Sequence, residues 1–132
     1  MKNKIKFELI TPSKTVLDQN VEMVVIPGIE GYFGVLPEHA PTLSALQSGL
    51  VSIYEDDKII SKSLIDGGVA SVQPEGCYIL VERAESIDNL NKEKLQKRLD
   101  FAKNTYNNST DENEKSVALS EQKWIELIFS SI

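Results

Sequence analysis

The chain has 132 residues, 41% of them hydrophobic and 26% charged, a balance typical of one globular domain or of a small domain with an appendage. No run of about 18 apolar residues is present, which excludes a membrane-spanning helix. The net charge of −6 argues against nucleic acid as a partner. Basic residues near the N-terminus are not followed by an apolar stretch, so we expect no secretory signal. The lone Cys77 cannot form an internal disulfide, which indicates a reducing compartment, and we expect it to be a small strand residue.

The first 86 residues have the pattern of short strands. Ile5, Phe7 and Leu9 alternate with polar residues, which is the period of a half-buried strand. Further strands are predicted at residues 15–17, 21–26, 50–54, 59–65, 69–72 and 77–81. Turn chemistry separates them, with Asp56-Asp57 at a hairpin tip. This spacing predicts an all-β antiparallel sandwich or barrel.

The composition changes near Ala84, since no Gly or Pro follows. Two helices are predicted from apolar residues at helical spacing. The first has Leu95, Leu99, Ala102 and Tyr106 on one face, and the second has a stripe of Val117, Trp124 and Ile128. Residues 104–110 are predicted to interrupt the helical pattern, and Ser109 with Glu112 fits a capping box. The tail should therefore form a helical hairpin.

Charge divides this tail into two parts. Residues 88–106 carry five basic and three acidic side chains, a net of +2, whereas residues 109–132 carry two basic and five acidic ones, a net of −3. A hairpin of this size buries little surface, so we expect it to depend on the sandwich or on a partner, and to move.

The segment from Pro27 to Pro41, PGIEGYFGVLPEHAP, is the most distinctive part of the sequence. Three glycines recur at intervals of three between prolines, which specifies one backbone path, and we predict a tight irregular loop. The pattern fits neither a Walker A loop nor a dinucleotide fingerprint. We expect Phe33 to fill the end of the sandwich, Tyr32 to face a partner, and His39 to support the loop or contact a partner.

This segment resembles the pattern P/T-G-x-E-G-x-x-G-V/I-x-P-x-H-A-P of the epsilon subunit of the bacterial rotary F-type ATP synthase. Two further stretches, residues 40–51 and 66–72, are similar to the continuation of that pattern. The resemblance implies a β-sandwich of two five-stranded antiparallel sheets, residues 1–86, followed by a helix-loop-helix domain, residues 87–132.

The resemblance also implies a function. The chain would be a noncatalytic rotor subunit of the central stalk that joins the gamma subunit, sits on the membrane c ring, and couples proton flow to ATP synthesis elsewhere in the complex. It would be peripheral on the cytoplasmic side of the bacterial inner membrane. We expect no catalytic, metal or cofactor site. The expected contact residues are Glu30, Gly31, Tyr32, Phe33, Gly34 and His39.

In some members of this family the hairpin inhibits ATP hydrolysis, which implies transient contact with the alpha and beta catalytic subunits. The basic residues in position to do this are Lys92, Lys94, Lys97, Arg98 and Lys103. Some members bind ATP through an I/L-D-x-x-R-A motif. The two registers available here place Asn91 or Lys94 where the motif has Arg, and Lys does not reproduce its bidentate geometry, so we predict weak or absent ATP binding.

Two other interpretations remain open. One is a free-standing β-sandwich binding module with a regulatory helical hairpin. The other is a small hydrolase in which His39 activates a serine such as Ser44.

Overall fold

The computed structural model describes residues 3–88 and 90–132. The chain divides into two compact units, Met1–Asp88 and Asn89–Ile132, and the boundary predicted after residue 86 lies two residues before this division. The first unit contains β1 (Ile5–Thr11), β2 (Lys14–Val21), β3 (Met23–Gly28), β4 (Gly31–Val35), β5 (Thr42–Leu46), β6 (Gly49–Glu55), β7 (Lys58–Ile65), β8 (Gly68–Gln73), β9 (Gly76–Leu80) and β10 (Ala84–Ser86). The second contains α1 (Lys92–Asn108) and α2 (Glu112–Ser131).

The strands form two sets of five. One set runs β10-β7-β6-β3 with β4 on β3, the other runs β5-β8-β9-β1-β2, and the pairing of Gly28 with Leu46 links them. The predicted sandwich followed by a helical hairpin is confirmed. One pairing differs from the antiparallel expectation, because β1 runs parallel to β9. β1 lies between β2 and β9 in the sheet. The tight turn between β1 and β2 makes those two strands antiparallel, and β9 pairs with the other edge of β1 in the same direction as β1.

The core of the sandwich follows the period of two in the sequence. Ile5, Phe7 and Leu9 are fully buried, and the strands of both sets contribute their alternate apolar residues to the same cluster. Complete burial of one such side chain contributes about 1.5–3 kcal/mol relative to exposure. Cys77 belongs to this cluster, as expected for a small strand residue.

About half of the segment predicted as an irregular loop is β-structure, because Pro27 and Gly28 end β3 and residues Gly31–Val35 form β4. β4 pairs with β3 through a two-residue turn at Ile29 and Glu30, and β5, which follows the segment, was not predicted either. Glycine weakens a strand in isolation, which is why its density suggested a loop. Here the pairing with β3 outweighs that preference. The short β10 was also absent from the prediction.

The helix ends differ in detail from the expectation. α1 continues to Asn108, beyond the predicted interruption at residue 104, and α2 begins with Asp111 as its N-cap. The Asp111 carboxylate accepts a hydrogen bond from the backbone N–H of Asn113 at 2.8 Å. The capping box assigned to Ser109 was wrong, because the Ser109 hydroxyl donates to the Glu114 carboxylate at 2.7 Å.

The inner faces of the hairpin were predicted in part. Leu95, Leu99 and Ala102 are buried, as are Ala118, Trp124, Ile125 and Ile128 of α2. Tyr106 and Val117 are exposed, contrary to the prediction. The Tyr106 ring instead lies 5.4 Å from the Lys115 ammonium, a cation–π distance.

Candidate partner-binding surfaces

The turn between β3 and β4 forms a well-anchored tip at one end of the sandwich. The backbone N–H of Ile29 donates to the Ala45 carbonyl at 2.9 Å, and that of Gln47 donates to the Pro27 carbonyl at 2.9 Å. Glycine is required at position 28, since a Cβ there would lie 2.7 Å from the Gly31 carbonyl oxygen and 2.8 Å from Cε1 of Phe33. These contacts hold the exposed Ile29 and Glu30 side chains outward at a fixed place.

The two aromatic residues of the tip have different roles. Phe33 is half-buried and packs against the core, as its sequence position suggested. Tyr32 is 55% exposed, yet its hydroxyl accepts a hydrogen bond from the backbone N–H of Leu50 at 3.1 Å. Its ring therefore lies along the start of β6, with its hydroxyl end over Gly49. Tyr32 is thus accessible to a partner, and its hydroxyl also holds the tip against the start of β6.

His39 lies beside this tip. Its Nδ1–H donates to the Ala40 carbonyl at 2.7 Å, which assigns that nitrogen a local structural role. His39 and Ser44 line one shallow pocket of about 410 Å³ together with Glu30 and Leu43. The Ser44 hydroxyl donates to the Ala45 carbonyl at 3.2 Å. Each side chain thus bonds to a nearby carbonyl, an arrangement that gives no support to a serine–histidine pair.

The sequence interpretation missed the most exposed large apolar residue of this surface. Leu43 is 77% exposed on β5, and with Ile29 it adds an apolar border to the charged tip. Within β5 the inward-facing positions are Thr42, Ser44 and Leu46, so Leu43 lies on the outer face. A leucine between two polar residues that point the other way was the signal available in the sequence.

A second apolar surface crosses the outer face of the β5-β8-β9-β1 part of the sheet. Ala45 pairs with Val69, Val69 pairs with Leu80, and Leu80 pairs with Ile10, so these four residues form one row across four strands. Ala45, Val69 and Leu80 are exposed and Ile10 is half-buried. We call these four residues the outer row. An apolar row of this kind on a sheet face is typical of an interaction surface.

The five basic residues of α1 do not form one face. At 100° per residue, Lys94, Lys97 and Arg98 lie on one side of the helix, whereas Lys92 and Lys103 lie roughly opposite. The four lysines are exposed. Arg98 is half-buried and its guanidinium donates to the Glu121 carboxylate of α2 at 2.8 Å.

The residues in the place of the ATP motif are engaged in local structure. The Asn91 side chain caps α1 by accepting from the backbone N–H groups of Glu93 and Lys94, at 2.9 and 3.1 Å. The Asp88 carboxylate accepts from the backbone N–H of Lys62 at 3.1 Å.

Residues 3–88 and 90–132 contain no helix of the length and apolarity needed to cross a membrane. The same residues include no group of three or more His, Cys, Asp and Glu side chains placed to hold a metal ion.

Comparison with known proteins identifies the family. Residues 4–87 match the family described as "ATP synthase, Delta/Epsilon chain, beta-sandwich domain". The ATP synthase epsilon chain of Rhodospirillum rubrum is 36% identical over 118 residues, which cover 89% of this chain and 88% of that protein. The chain belongs to the ATP synthase epsilon-chain family. Its members are noncatalytic subunits of the synthase. Another relative, the epsilon chain of Maricaulis maris, is 37% identical over 118 residues.

Solved structures give the same fold. A chain in the cryo-EM structure of Euglena gracilis mitochondrial ATP synthase, described as OSCP/F1/c-ring in rotational state 1, matches with a TM-score of 0.65 and 26% identity. The match covers 96% of this chain and 80% of that one. A chain from the Tetrahymena thermophila mitochondrial ATP synthase central stalk and c ring matches with a TM-score of 0.55 at 18% identity, which shows the fold alone.

Proposed function

We propose that this chain is the epsilon-type rotor subunit of a bacterial F-type ATP synthase and that it couples proton flow through the c ring to ATP synthesis on other subunits. The observation that carries the proposal is the fixed tip of the sandwich, which displays apolar and charged residues within a fold that belongs to the epsilon-chain family. As part of that rotor, the chain would be peripheral at the cytoplasmic face of the inner membrane.

The tip would contact the c ring. Glu30 supplies charge, Ile29 and Leu43 supply exposed apolar surface, and His39 lies beside them in the same pocket. Gly31, Tyr32, Phe33 and Gly34 would act through backbone shape and support, since they form the strand that carries this tip. A rotor contact has to transmit torque, and the pairing of β4 with β3 supports the tip from behind.

The gamma subunit would bind the outer row. This apolar surface adjoins the tip at Ala45, which lines the same pocket as Glu30 and Leu43, and it runs from there across the sheet to Ile10. Leu80 of this row is 52% exposed. Introducing a charge at such a position should weaken binding because desolvating an unpaired charge is costly.

The hairpin would inhibit ATP hydrolysis by transient contact with the alpha and beta catalytic subunits. Lys94 and Lys97 form one exposed basic group and Lys92 with Lys103 form another, so a contact from either side meets positive charge. Arg98 becomes available only when its pair with Glu121 separates.

ATP binding by the hairpin would be weak or absent. Arg98 is the one arginine of the hairpin, and in this structure its guanidinium pairs with a carboxylate, while Asn91 is used as a helix cap. Calorimetric titration of ATP into the purified chain should give no saturable heat. Micromolar affinity would overturn this part of the proposal.

One experiment separates these roles. Synthase lacking this subunit would be reconstituted with the full chain or with residues 1–88, a truncation that keeps the Asp88 contact to Lys62. Both forms should restore ATP-driven proton pumping, and the full chain should also slow ATP hydrolysis. If neither form binds the synthase, the alternative of a free-standing binding module is favoured. If the full chain and residues 1–88 give equal rates of ATP hydrolysis, the hairpin is not an inhibitor.

Matched substitutions test each surface. Leu43→Asp should abolish ring coupling, whereas Leu36→Asp, at the opposite end of β4 and also exposed, should not. Leu80→Glu should weaken gamma binding, and Ile60→Glu, which alters a residue exposed to the same 52%, is the control. If a substitution and its control have equal effects, that surface does not bind the partner proposed for it.

A further inference from the structure

One apolar groove is used by none of the roles above. It lies between the two helices near their connecting loop and has a volume of about 370 Å³. Phe101 and Thr105 of α1 line one wall, and Val117 and Ala118 of α2 line the other. Phe101 is 74% exposed and Val117 is 71% exposed, so both large side chains are turned away from the buried face of the hairpin.

The charges around this groove are distributed unequally between the helices. Lys94 and Lys97 precede Phe101 by two turns and one turn on the same side of α1. On α2, Glu114 and Glu121 lie one turn before and one turn after Val117, and both line the groove. One helix therefore offers a basic border and the other an acidic one.

Such a face is complementary to itself. A two-fold rotation about an axis parallel to the helices places α1 of one copy over α2 of the other, and Phe101 of each copy then meets Val117 of its mate. Lys97 and Glu121 each lie one helical turn farther from the connecting loop than Phe101 and Val117. The same rotation therefore brings Lys97 of one copy beside Glu121 of the other, whose carboxylate also pairs with Arg98 of its own chain, and this arrangement occurs twice.

We propose that the hairpin face around Phe101 and Val117 is a homodimer interface, and that two copies of the free chain associate through it as a four-helix bundle. Antiparallel helices packed in pairs around apolar residues are a recurrent bundle arrangement. The proposal goes beyond the role in the synthase, because it concerns the chain before or apart from assembly.

The expected affinity follows from the size of the face. The 17 residues of α1 span about 25 Å, and two helices about 10 Å apart offer a face of roughly 500 Å² per copy. The total of about 1,000 Å² is at the lower limit for a specific interface. The dimer should accordingly be weak, with a dissociation constant on the order of 10–100 μM.

Sedimentation velocity of the full chain between 5 and 500 μM, concentrations chosen to bracket that range, provides the test. The wild-type chain should shift reversibly from monomer to dimer. Phe101→Ser combined with Val117→Ser should weaken dimerisation at least about tenfold, because both substitutions remove the apolar contact at the centre. Ile132→Ser alters an exposed apolar residue of the same hairpin outside the groove and should have no effect.

Charge reversal provides an independent test. Lys97→Glu should weaken dimerisation, because it places a carboxylate opposite Glu121 of the other copy. Lys103→Glu makes the same charge change on another side of α1 and should be neutral. A wild-type chain that stays monomeric at every concentration overturns the proposal, as does a dimer unaffected by the Phe101 and Val117 changes. If the chain is monomeric but the double substitution impairs synthase assembly, the face binds a synthase subunit instead.

Discussion

The Tyr32 hydroxyl accepts a hydrogen bond from the backbone N–H of Leu50 at 3.1 Å. This bond joins β4 to the start of β6, so the strand that carries the tip is fixed to a neighbouring strand by a side chain rather than by the ladder alone. A residue expected to be a partner anchor is therefore also an internal brace.

Tyr32→Phe should lower the free energy of unfolding by about 0.5–1.5 kcal/mol, the usual contribution of one such hydrogen bond. Urea unfolding measures the change, and hydrogen exchange at the Leu50 amide should quicken. Tyr78→Phe is the control, since the described residues supply no hydrogen bond to the Tyr78 hydroxyl. If both variants unfold alike and exchange at Leu50 is unchanged, the bond contributes nothing in solution.

Gly68 and Gly31 offer a comparison between two glycines of similar backbone angle. Gly68 has φ of +144°, and a Cβ there would come 2.2 Å from the Leu80 carbonyl oxygen. Gly31 has φ of +137°, but a Cβ there would meet nothing within 4 Å. Both alanine variants should carry backbone strain of about 1–3 kcal/mol.

Gly68→Ala should cost more than Gly31→Ala, because the added steric clash is with backbone, which cannot move aside cheaply. Thermal and urea unfolding of the two variants, in parallel, gives the difference. If the two variants lose the same free energy of unfolding, backbone strain alone accounts for the loss, and β8 and β9 can separate near Gly68 without cost.

Burial raises the pKa of the Cys77 thiol from 9.0 to about 12. The folded chain therefore holds this proton more tightly than the unfolded chain does. The resulting stability is fully present below pH 9 and is lost as the pH rises towards 12. Comparing the wild-type chain with Cys77→Ala between pH 8 and 11 should show a steeper decline in the wild type, by up to about 1.4 kcal/mol per pH unit.

The same burial should make Cys77 inert to thiol reagents in the native state. Reaction with a chromogenic disulfide at pH 8 should occur only after denaturant is added, because the thiolate is the reacting form. Rapid labelling of the folded chain would contradict the burial of this residue.

The Arg98–Glu121 pair should restrain the inhibitory action of the hairpin. Both side chains are partly exposed, so the pair is worth only about 0–1 kcal/mol. Glu121→Gln should therefore increase inhibition of ATP hydrolysis about two- to fivefold in the reconstituted synthase, provided that the hairpin opens to act. Glu126→Gln removes an α2 carboxylate that accepts a hydrogen bond from Gln122 and is the matched control. Reduced or unchanged inhibition by Glu121→Gln would contradict this role.

The sequence predicted the fold where a local pattern agrees with the packing. Ile5, Phe7 and Leu9 alternate as a strand must, and Leu95 with Leu99 marks the buried side of α1, so both were predicted correctly. β4 was missed because its glycines have poor strand propensity, and its stability comes from pairing with β3, a contact that propensity does not represent. The pairing of β4 with β3 therefore determined the structure of a segment whose composition favours a loop.

The candidate surfaces were less predictable for a related reason. Glu30 and His39 could be selected by their place in a recognisable segment. Leu43 and the row from Ala45 to Ile10 become visible only when strands far apart in the sequence are placed side by side. Likewise, the partnership of Tyr32 with Leu50 joins positions 18 residues apart, and no local spacing encodes it.

The parallel pairing of β1 with β9 also determines when the sandwich can be completed. During synthesis, residues 76–80 leave the ribosome long after β1 and β2 have done so, and until then β1 has only β2 as a hydrogen-bonded strand partner. An isolated two-stranded hairpin is marginally stable in water. The edge of β1 that β9 covers therefore stays unpaired until residue 80 has been made, and an unpaired strand edge is a site at which a chaperone can bind before the last strands arrive.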